Sequence, residues 1–225
     1  MPYSKKLFNS YLKAIKNPLP ELKKTFDSEL RLLKFQASFL KNYHGFSTIN
    51  VLDVGCGAGR PTRELSYFVD SIIGIDNDQS IVNTAKDRCK YRKNVEIINA
   101  DALDMPFDDN SFEFVYATYN LLGSLEKEVR SDLVREMLRV TKPKGCIINI
   151  TWNNDNSTTE FLKKYYSLIG LEILKSNSSR TVTNEGTFER LSIKELCNIN
   201  ISVGLELNYL DIVRSLWHAV VGFKL

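Results

Sequence analysis

Val51-Leu52-Asp53-Val54-Gly55-Cys56-Gly57-Ala58-Gly59 is an apolar, β-branched run that ends in three glycines at alternate positions. Glycine permits a tight turn and lets a ligand approach the backbone without meeting a Cβ. Pro61-Thr62-Arg63-Glu64-Leu65 then starts a helical pattern with Pro in its first turn. The N-terminus of that helix adds oriented N–H groups, so the loop is expected to bind a carboxylate, ribose or phosphate edge. Asp76 ends the next apolar run, 21 residues beyond Gly55. A carboxylate there can accept hydrogen bonds from both hydroxyls of a ribose and would repel a 2′-phosphate, so adenosine fits better than NADP. Asn77 is expected on the adenine side, and Asp101, at the end of a third run, facing the adenine amino group. The spacing is G-x-G-x-G rather than G-x-G-x-x-G, and no Tyr-x-x-x-Lys pair is present, which argues against a dinucleotide oxidoreductase.

The elements that must position these residues alternate along the chain. Strands are predicted at Ile49 to Val54, Ser71 to Ile75, Val95-Glu96-Ile97-Ile98 to Asp101, Phe112 to Thr118 and Cys146 to Trp152. Helices are predicted from Pro61, over Gln79 to Cys89 with Asp78 as its cap, and over Glu126 to Thr141. Lys142-Pro143-Lys144-Gly145 reads as a turn. Strands alternating with helices at this spacing imply a parallel sheet covered on both faces, with a ligand crevice at the strand ends. Ahead of it, Pro20 to Tyr43 carries Leu22, Phe26, Leu30, Leu33, Ala37 and Leu40 at helical spacing, a stripe widened by Leu32, Phe35 and Phe39. Beyond Trp152 the pattern changes to a polar loop, a helix over Glu160 to Ile169 and a strand-like stretch from Arg180 to Arg190, which reads as an insert. Ser192 and Glu195 can form a capping box for a helix over Ile193 to Ile199, and strands at Val203 to Tyr209 and Trp217 to Phe223 would finish the sheet.

Composition is that of one globular domain: 225 residues, 43% apolar, 25% charged, with 11 Gly and 6 Pro. The N-terminal residues lack a signal-peptide core, no run is long enough to span a membrane, and Cys56, Cys89, Cys146 and Cys197 form no C-x-x-C pair. The expectations are a cytoplasmic location, reduced thiols and no metal site. Residues 1–50 hold nine Lys or Arg against three Asp or Glu, within a chain of net charge +3. The basic residues are dispersed, so a solvated helix face is favoured over a nucleic-acid arm.

With these residues in view, the chain resembles the class I S-adenosylmethionine-dependent methyltransferases, in particular the small-molecule group related to ubiquinone and menaquinone biosynthesis. The resemblance rests on Val51 to Gly59, Ile75-Asp76, Ala100-Asp101-Ala102, Met105-Pro106-Phe107, Asn110-Ser111-Phe112 and Arg139-Val140-Thr141-Lys142-Pro143, and covers about residues 45–152. It implies a Rossmann-like, mostly parallel seven-stranded sheet with helices on both faces and S-adenosyl-L-methionine as cofactor. Asp53, Gly55, Gly57 and Gly59 would line the methionine end, Asp76 would hold the ribose with Asn77 beside it, and Asp101 and Ala102 would bind the adenine. Two departures stand out: Lys144 occupies a position usually held by glycine, and Thr118-Tyr119-Asn120-Leu121 replaces a segment that often contains histidine.

The expected reaction is methyl transfer to N, O or S of a small-molecule acceptor. Tyr119 and Asn120 are the catalytic candidates, with Trp152, Tyr165, Arg180 and Arg190 also on the acceptor side. His218, within the last strand, is read as structural, and His44, closing the N-terminal helix, as a weaker candidate base. The expected organisation is a helical lid (1–45), a cofactor-binding core (46–152) and a substrate-covering insert with the last strands (153–225). A tRNA or rRNA methyltransferase is the alternative, disfavoured by the absence of an Asn-Pro-Pro-Tyr type segment and of an appended RNA-binding module. A non-catalytic cofactor sensor or partner subunit is a third reading.

Overall fold

The computed structural model describes residues 9, 12, 15–209 and 216–225. Its centre is a seven-stranded sheet. β1 (Asn50–Val54) pairs in parallel with β2 (Ser71–Asp76) on one side and β4 (Phe112–Ala117) on the other. β3 (Val95–Asn99) flanks β2, and β5 (Thr141–Trp152) flanks β4, both parallel. β10 (Trp217–Phe223) runs antiparallel to β5 and to the edge strand β9 (Glu206–Tyr209). The spatial order β3-β2-β1-β4-β5-β10-β9 reverses between β1 and β4, which leaves a crevice beyond the carboxyl ends of those two strands.

Strand residues alternate between two buried faces, which is why these strands read as continuous apolar runs. Val51, Phe114, Tyr116 and Ile148 meet α1 (Pro20–Tyr43) and α6 (Asn156–Leu168). Leu52, Val115, Ala117 and Ile147 meet α5 (Arg130–Val140) and α7 (Ile193–Ser202). The helices α2 (Arg60–Leu65) and α3 (Gln79–Cys89) complete the βαβ crossovers. Asp78 caps α3 by accepting from the backbone N–H groups of Ser80 and Ile81, and Ser192 with Glu195 forms the expected capping box on α7. Among the described residues no helix is long and apolar enough to cross a membrane.

Four features differ from the sequence reading. Pro20–Tyr43, expected within a lid, is a covering layer of the sheet: Leu22, Phe26, Leu33 and Leu40 are buried in the main core. Of the preceding segment, Leu12 and Ile15 pack on Ala58 and Ile81 beside the crevice, and most of the rest lies outside the described residues. The helix expected over Glu126 to Thr141 is a 3₁₀ turn (Lys127–Val129) followed by α5, and a further short helix, α4 (Leu121–Ser124), precedes it. The insert is a three-stranded antiparallel sheet, β6 (Ile173–Ser176), β7 (Arg180–Thr183) and β8 (Gly186–Glu189). Finally, residues 142–145, read as a turn, bulge within β5, where Phe112 opposes Thr141 but Phe114 already opposes Cys146. The Lys144 N–H donates to the Lys224 carbonyl and the Lys224 N–H to the Gly145 carbonyl, which extends pairing past the end of β10.

Lys144 is exposed and adopts φ +65°, the left-handed conformation that explains why glycine suits this position. An L-residue pays ~1–2 kcal/mol there, partly offset by the extra unfolded-state entropy of glycine, ~0.5–1 kcal/mol. Lys144→Gly is therefore expected to raise the melting temperature by ~1–4 °C in a calorimetric scan. A lower melting temperature would show that the lysine side chain contributes more than its backbone strain removes.

Candidate active site

The carboxyl ends of β1, β2 and β4 open onto a cleft of about 290 Å³. Val54 stands opposite Ile75 in the β1–β2 ladder, so the glycine loop and Asp76 leave the sheet at the same level. The Cys56 N–H donates to the Ile75 carbonyl at 2.8 Å, and the Gly57 N–H to Asp76 Oδ2 at 3.1 Å. Asp76 Oδ1 accepts from the Asp78 N–H, also at 3.1 Å. Burial raises the pKa of the Asp76 carboxyl, against the backbone N–H groups of Asp78, Gly57 and Asn77, which favour its ionised form.

Gly55 and Gly57, both at positive φ, line the cleft together with Asp76, Asn77, Asp101 and Ala102. These six expected binding residues therefore converge on one cavity. Asp101 is exposed, and its Oδ1 accepts from the Leu103 N–H at 2.9 Å, shaping the turn at this edge. Ile75, Ile81, Ala100 and Leu103 supply apolar wall on the same side.

Two of the expected residues are placed elsewhere. Gly59 is the left-handed N-cap of α2, where a Cβ would press on Ala85 and Cys89, so it serves packing rather than the cleft. Asp53, expected at the methionine end, is completely buried beneath the glycine loop and does not line the cleft. The Thr62 hydroxyl donates to its Oδ2 at 2.5 Å, and the Tyr116 hydroxyl beside it also favours the ionised form. Close by, Glu29 of α1 pairs with Arg60, whose guanidinium lies 3.9 Å from the Phe26 ring centroid. Desolvation by burial pushes the Asp53 carboxyl up to about 7.

The acceptor-side candidates divide similarly. Tyr119 lines the cleft, and its hydroxyl meets that of Tyr165 at 2.8 Å. Asn120 also reaches the cleft but is only 2% exposed, and its amide is committed to the fold. Its Nδ2 donates to the Glu189 carbonyl at 2.9 Å, and its Oδ1 accepts from the Thr151 hydroxyl and from the Trp152 N–H. Tyr119 and Asn120 have φ of +52° and +68°, and this amide holds the strained pair in place. Gly123 makes that contact possible, since a Cβ there would lie 2.3 Å from the Glu189 carbonyl oxygen. Asn120 is thus a positioning residue rather than one free to orient an acceptor.

Trp152 and Tyr165 line the cleft, whereas Arg180 and Arg190 do not. Arg190 is buried and donates to the Ser178 carbonyl, the Thr181 hydroxyl and the Asn177 carbonyl, tying the β6–β7 turn to β8. Arg180 is exposed on β7. The His44 ring contacts the Lys144 carbonyl oxygen at 2.8 Å and stacks on Phe223, away from the cleft. His218 is on β10 opposite Thr151, and burial lowers its pKa. Tyr166, Ile169 and Phe188 also line the cleft, unanticipated from the sequence. The Tyr165-Tyr166 doublet and the only aromatic residue within the polar Arg180 to Arg190 stretch were the available signals.

The sheet order and the position of the cleft are those of a Rossmann-like domain that binds its ligand at the switch point between β1 and β4. Residues 51–145 match the family described as "Methyltransferase domain". The chain resembles the menaquinone methyltransferases: it is 29% identical over 152 residues to the demethylmenaquinone methyltransferase of Staphylococcus epidermidis, an alignment that covers 64% of this chain. The chain spans about 61% of the length of that relative. A S-adenosylmethionine-dependent methyltransferase from Aquifex aeolicus superposes with a TM-score of 0.66 at 22% identity, covering 95% of this chain and 97% of the other. Magnesium protoporphyrin IX methyltransferase from Synechocystis PCC 6803, solved with bound S-adenosylhomocysteine, gives 0.69 at 12% identity over 97% and 94% of the two chains.

The buried carboxyl of Asp53 carries a pH signature. A carboxyl whose pKa is raised on folding binds its proton more tightly in the native state, so its stabilising contribution is full below the unfolded pKa, near 3.8, and is lost as pH rises through about 7. The stability of the parent relative to Asp53→Asn is therefore expected to fall between pH 4 and pH 7, with a slope approaching ~1.4 kcal/mol per pH unit. Urea titrations of both proteins at pH 5 and pH 7.5 measure this difference. A constant difference would mean that Asp53 titrates as it does in the unfolded chain.

Proposed function

We propose that this chain transfers the methyl group of S-adenosylmethionine to a small-molecule acceptor, acting in the cytoplasm. The observation that carries this reading is the Asp76 carboxylate, oriented by the Gly57 and Asp78 N–H groups at the mouth of the cleft. Each of its oxygens accepts one backbone donor and retains a further lone-pair direction, which suits the two hydroxyls of a ribose. Gly55 and Gly57 lack the Cβ atoms that would fill the cradle beside it, and Asn77, Asp101 and Ala102 offer a polar edge for the base. The residues present therefore fit an adenosyl group.

Bound there, S-adenosylmethionine would supply a methyl group already activated by its sulfonium. The protein then has to hold the acceptor in line and keep water out, and such positioning can account for ~7–11 kcal/mol of barrier reduction. Tyr119, Trp152, Tyr165, Tyr166 and Phe188 form the water-excluding wall of the acceptor half. Asn120 fixes the backbone on which Tyr119 stands, and Thr151 and Glu189 fix Asn120. Support for the small-molecule reading is that the cleft is walled over by the insert on this side.

Isothermal calorimetry is expected to show binding of S-adenosylhomocysteine and no binding of NAD or NADP. Asp76→Ala removes the acceptors for the ribose hydroxyls, at ~2–4 kcal/mol after partial compensation by water, or about 30- to 1000-fold in affinity. Unchanged affinity in Asp76→Ala would reduce Asp76 to a turn residue, and tight NAD binding without a response to S-adenosylhomocysteine would refute the cofactor assignment. In a third variant, Gly57→Val, a β-branched residue is forced to φ near +54° in the cradle. Cofactor binding should disappear while the circular dichroism spectrum of the fold is retained.

A further inference from the structure

Among the described residues, the aromatic side chains left more than half exposed are Phe35, Tyr43, Tyr67, Phe68 and Tyr91. Tyr43 ends α1 ahead of β1, Tyr67 and Phe68 lie in the loop leading into β2, and Tyr91 lies in the loop leading into β3. Because these strands are parallel, the three loops gather at the amino-terminal edge of the sheet, at the end opposite the cleft. The rings are joined into one surface. Phe39 stacks on Phe35 at 6.2 Å and on Tyr43 at 5.0 Å, forming a ladder along α1. Lys34 Nζ, 3.9 Å from the Phe68 ring centroid, connects α1 to the next loop, where Tyr67 and Phe68 meet edge-on. The Arg92 guanidinium lies over Tyr67, and Asn94 Nδ2 donates to the Ser66 and Val69 carbonyls at 2.8 and 3.1 Å, which ties the two loops together.

Basic residues that are dispersed in the sequence collect at this end. Residues 30–48, 66–69 and 90–94, which build it, hold Arg31, Lys34, Lys41, Lys90, Arg92 and Lys93 and no Asp or Glu. Arg31 precedes Phe35 by four residues, and Lys41 follows Lys34 by two helical turns, so the cations flank the ring ladder. Of the carboxylates close in sequence, Asp70 accepts from the Ile49 N–H at 2.8 Å and Asp87 pairs with Lys90 at 2.9 Å. Rings interleaved with cations fit an occupant that is apolar and anionic within a few ångströms. The interface of a bilayer containing acidic phospholipid is such an occupant, since rings enter the headgroup region while lysine and arginine stay with the phosphates. A second copy of this chain would bring cations against cations. Nucleic acid uses open ring faces as stacking platforms. Here Phe35 and Tyr43 stack on Phe39, and Lys34, Arg92 and Lys90 lie over Phe68, Tyr67 and Tyr91, so each ring already has a neighbour on one face.

We propose that the chain docks by this end on a membrane surface rich in acidic phospholipid, with the cleft turned toward the water. Phe35 and Phe68 carry no polar tip and enter deepest, the Tyr43, Tyr67 and Tyr91 hydroxyls stay at headgroup level, and Lys34, Lys41, Arg92 and Lys93 meet the phosphates. β1, β2 and β3, five or six residues long, separate the docking face from the cleft by ~17–20 Å. Lipid and cleft ligand therefore do not compete.

Co-sedimentation of the full chain with vesicles tests this, using phosphatidylcholine alone and phosphatidylcholine with roughly one-third phosphatidylglycerol. Binding to the acidic vesicles is expected to be about tenfold tighter or more, and to weaken as salt is raised. A basic residue at such a surface contributes about fivefold, so Lys34→Glu combined with Arg92→Glu is expected to lose about 25-fold or more. Phe35→Ser combined with Phe68→Ser is expected to lose roughly tenfold, at low and high salt alike. Leu168→Ser with Leu174→Ser, at exposed positions on α6 and β6, is the control and should bind as the parent does. Circular dichroism checks each fold, and the single variants Phe68→Ser and Arg92→Glu carry the test if a double variant does not fold. Equal binding to the two vesicle types, no binding to either, folded patch variants that bind like the parent, or an equal loss in the control would overturn the proposal. So would tighter binding of single-stranded oligouridylate through the same residues, or a dimer in analytical ultracentrifugation that these variants dissociate, since either gives the surface a different occupant.

Discussion

Parallel pairing of Val54 with Ile75 sets the geometry on which the cleft depends. Because two adjacent strands end at the same level, the loop leaving β1 finds hydrogen-bond acceptors waiting on β2, first the Ile75 carbonyl and then the Asp76 carboxylate. Backbone donors in a turn this close to the core would otherwise be buried without partners, a cost the fold must avoid. The glycines are the means of making those contacts, since the chain can double back at Gly55 and Gly57 only with φ positive. From there α2 starts at a fixed point, and its Thr62 reaches back to Asp53 beneath the loop. A ligand-binding surface and a buried polar layer thus arise from the same turn.

Across the reversal between β1 and β4 the cleft is built on different principles. The Asp76 side uses regular strand ends and backbone donors. On the other side the chain passes through two left-handed, non-glycine residues, Tyr119 and Asn120, in a conformation that costs on the order of 1–2 kcal/mol per residue and persists only where surrounding contacts enforce it. The Asn120 amide is the enforcing contact, spanning β5 and β8 at once. Order in the aromatic half therefore derives from one side chain acting as a clamp, whereas order in the Asp76 half derives from the sheet ladder.

This contrast also explains what could be read from the sequence. The parallel strands, Asp78 at the start of α3 and the Ser192–Glu195 capping box are local patterns, and the structure forms them. Gly55, Gly57, Asp76, Asn77, Asp101 and Ala102 sit at strand ends, so finding the strands located them in one cleft. Asp53 and Gly59 belong to the same motif, yet burial under the loop and packing against α3 removed them from the surface, a distinction that spacing cannot express. The role of Asn120 depends on Glu189, 69 residues later in the chain, and Arg190 turned inward to carbonyls of its own insert rather than toward the cleft. β6 escaped notice because its residues are exposed or half-buried, with no alternation of apolar character to mark a strand.

Glu189 is gripped twice, by Asn120 at its carbonyl and by Arg130 at its carboxylate. The Arg130 guanidinium also donates to the Leu125 carbonyl, so the anchor is itself seated on the loop after α4. The β6–β8 sheet is consequently clipped to the domain beside the aromatic end of the cleft, contributing Phe188 to it while leaving the Gly57–Asp76 contact untouched. A descendant that kept the Glu189 anchor could diversify the residues before it and reshape the aromatic end of the cleft without disturbing the Asp76 end. Change at one end of the cleft is thereby uncoupled from conservation of the other.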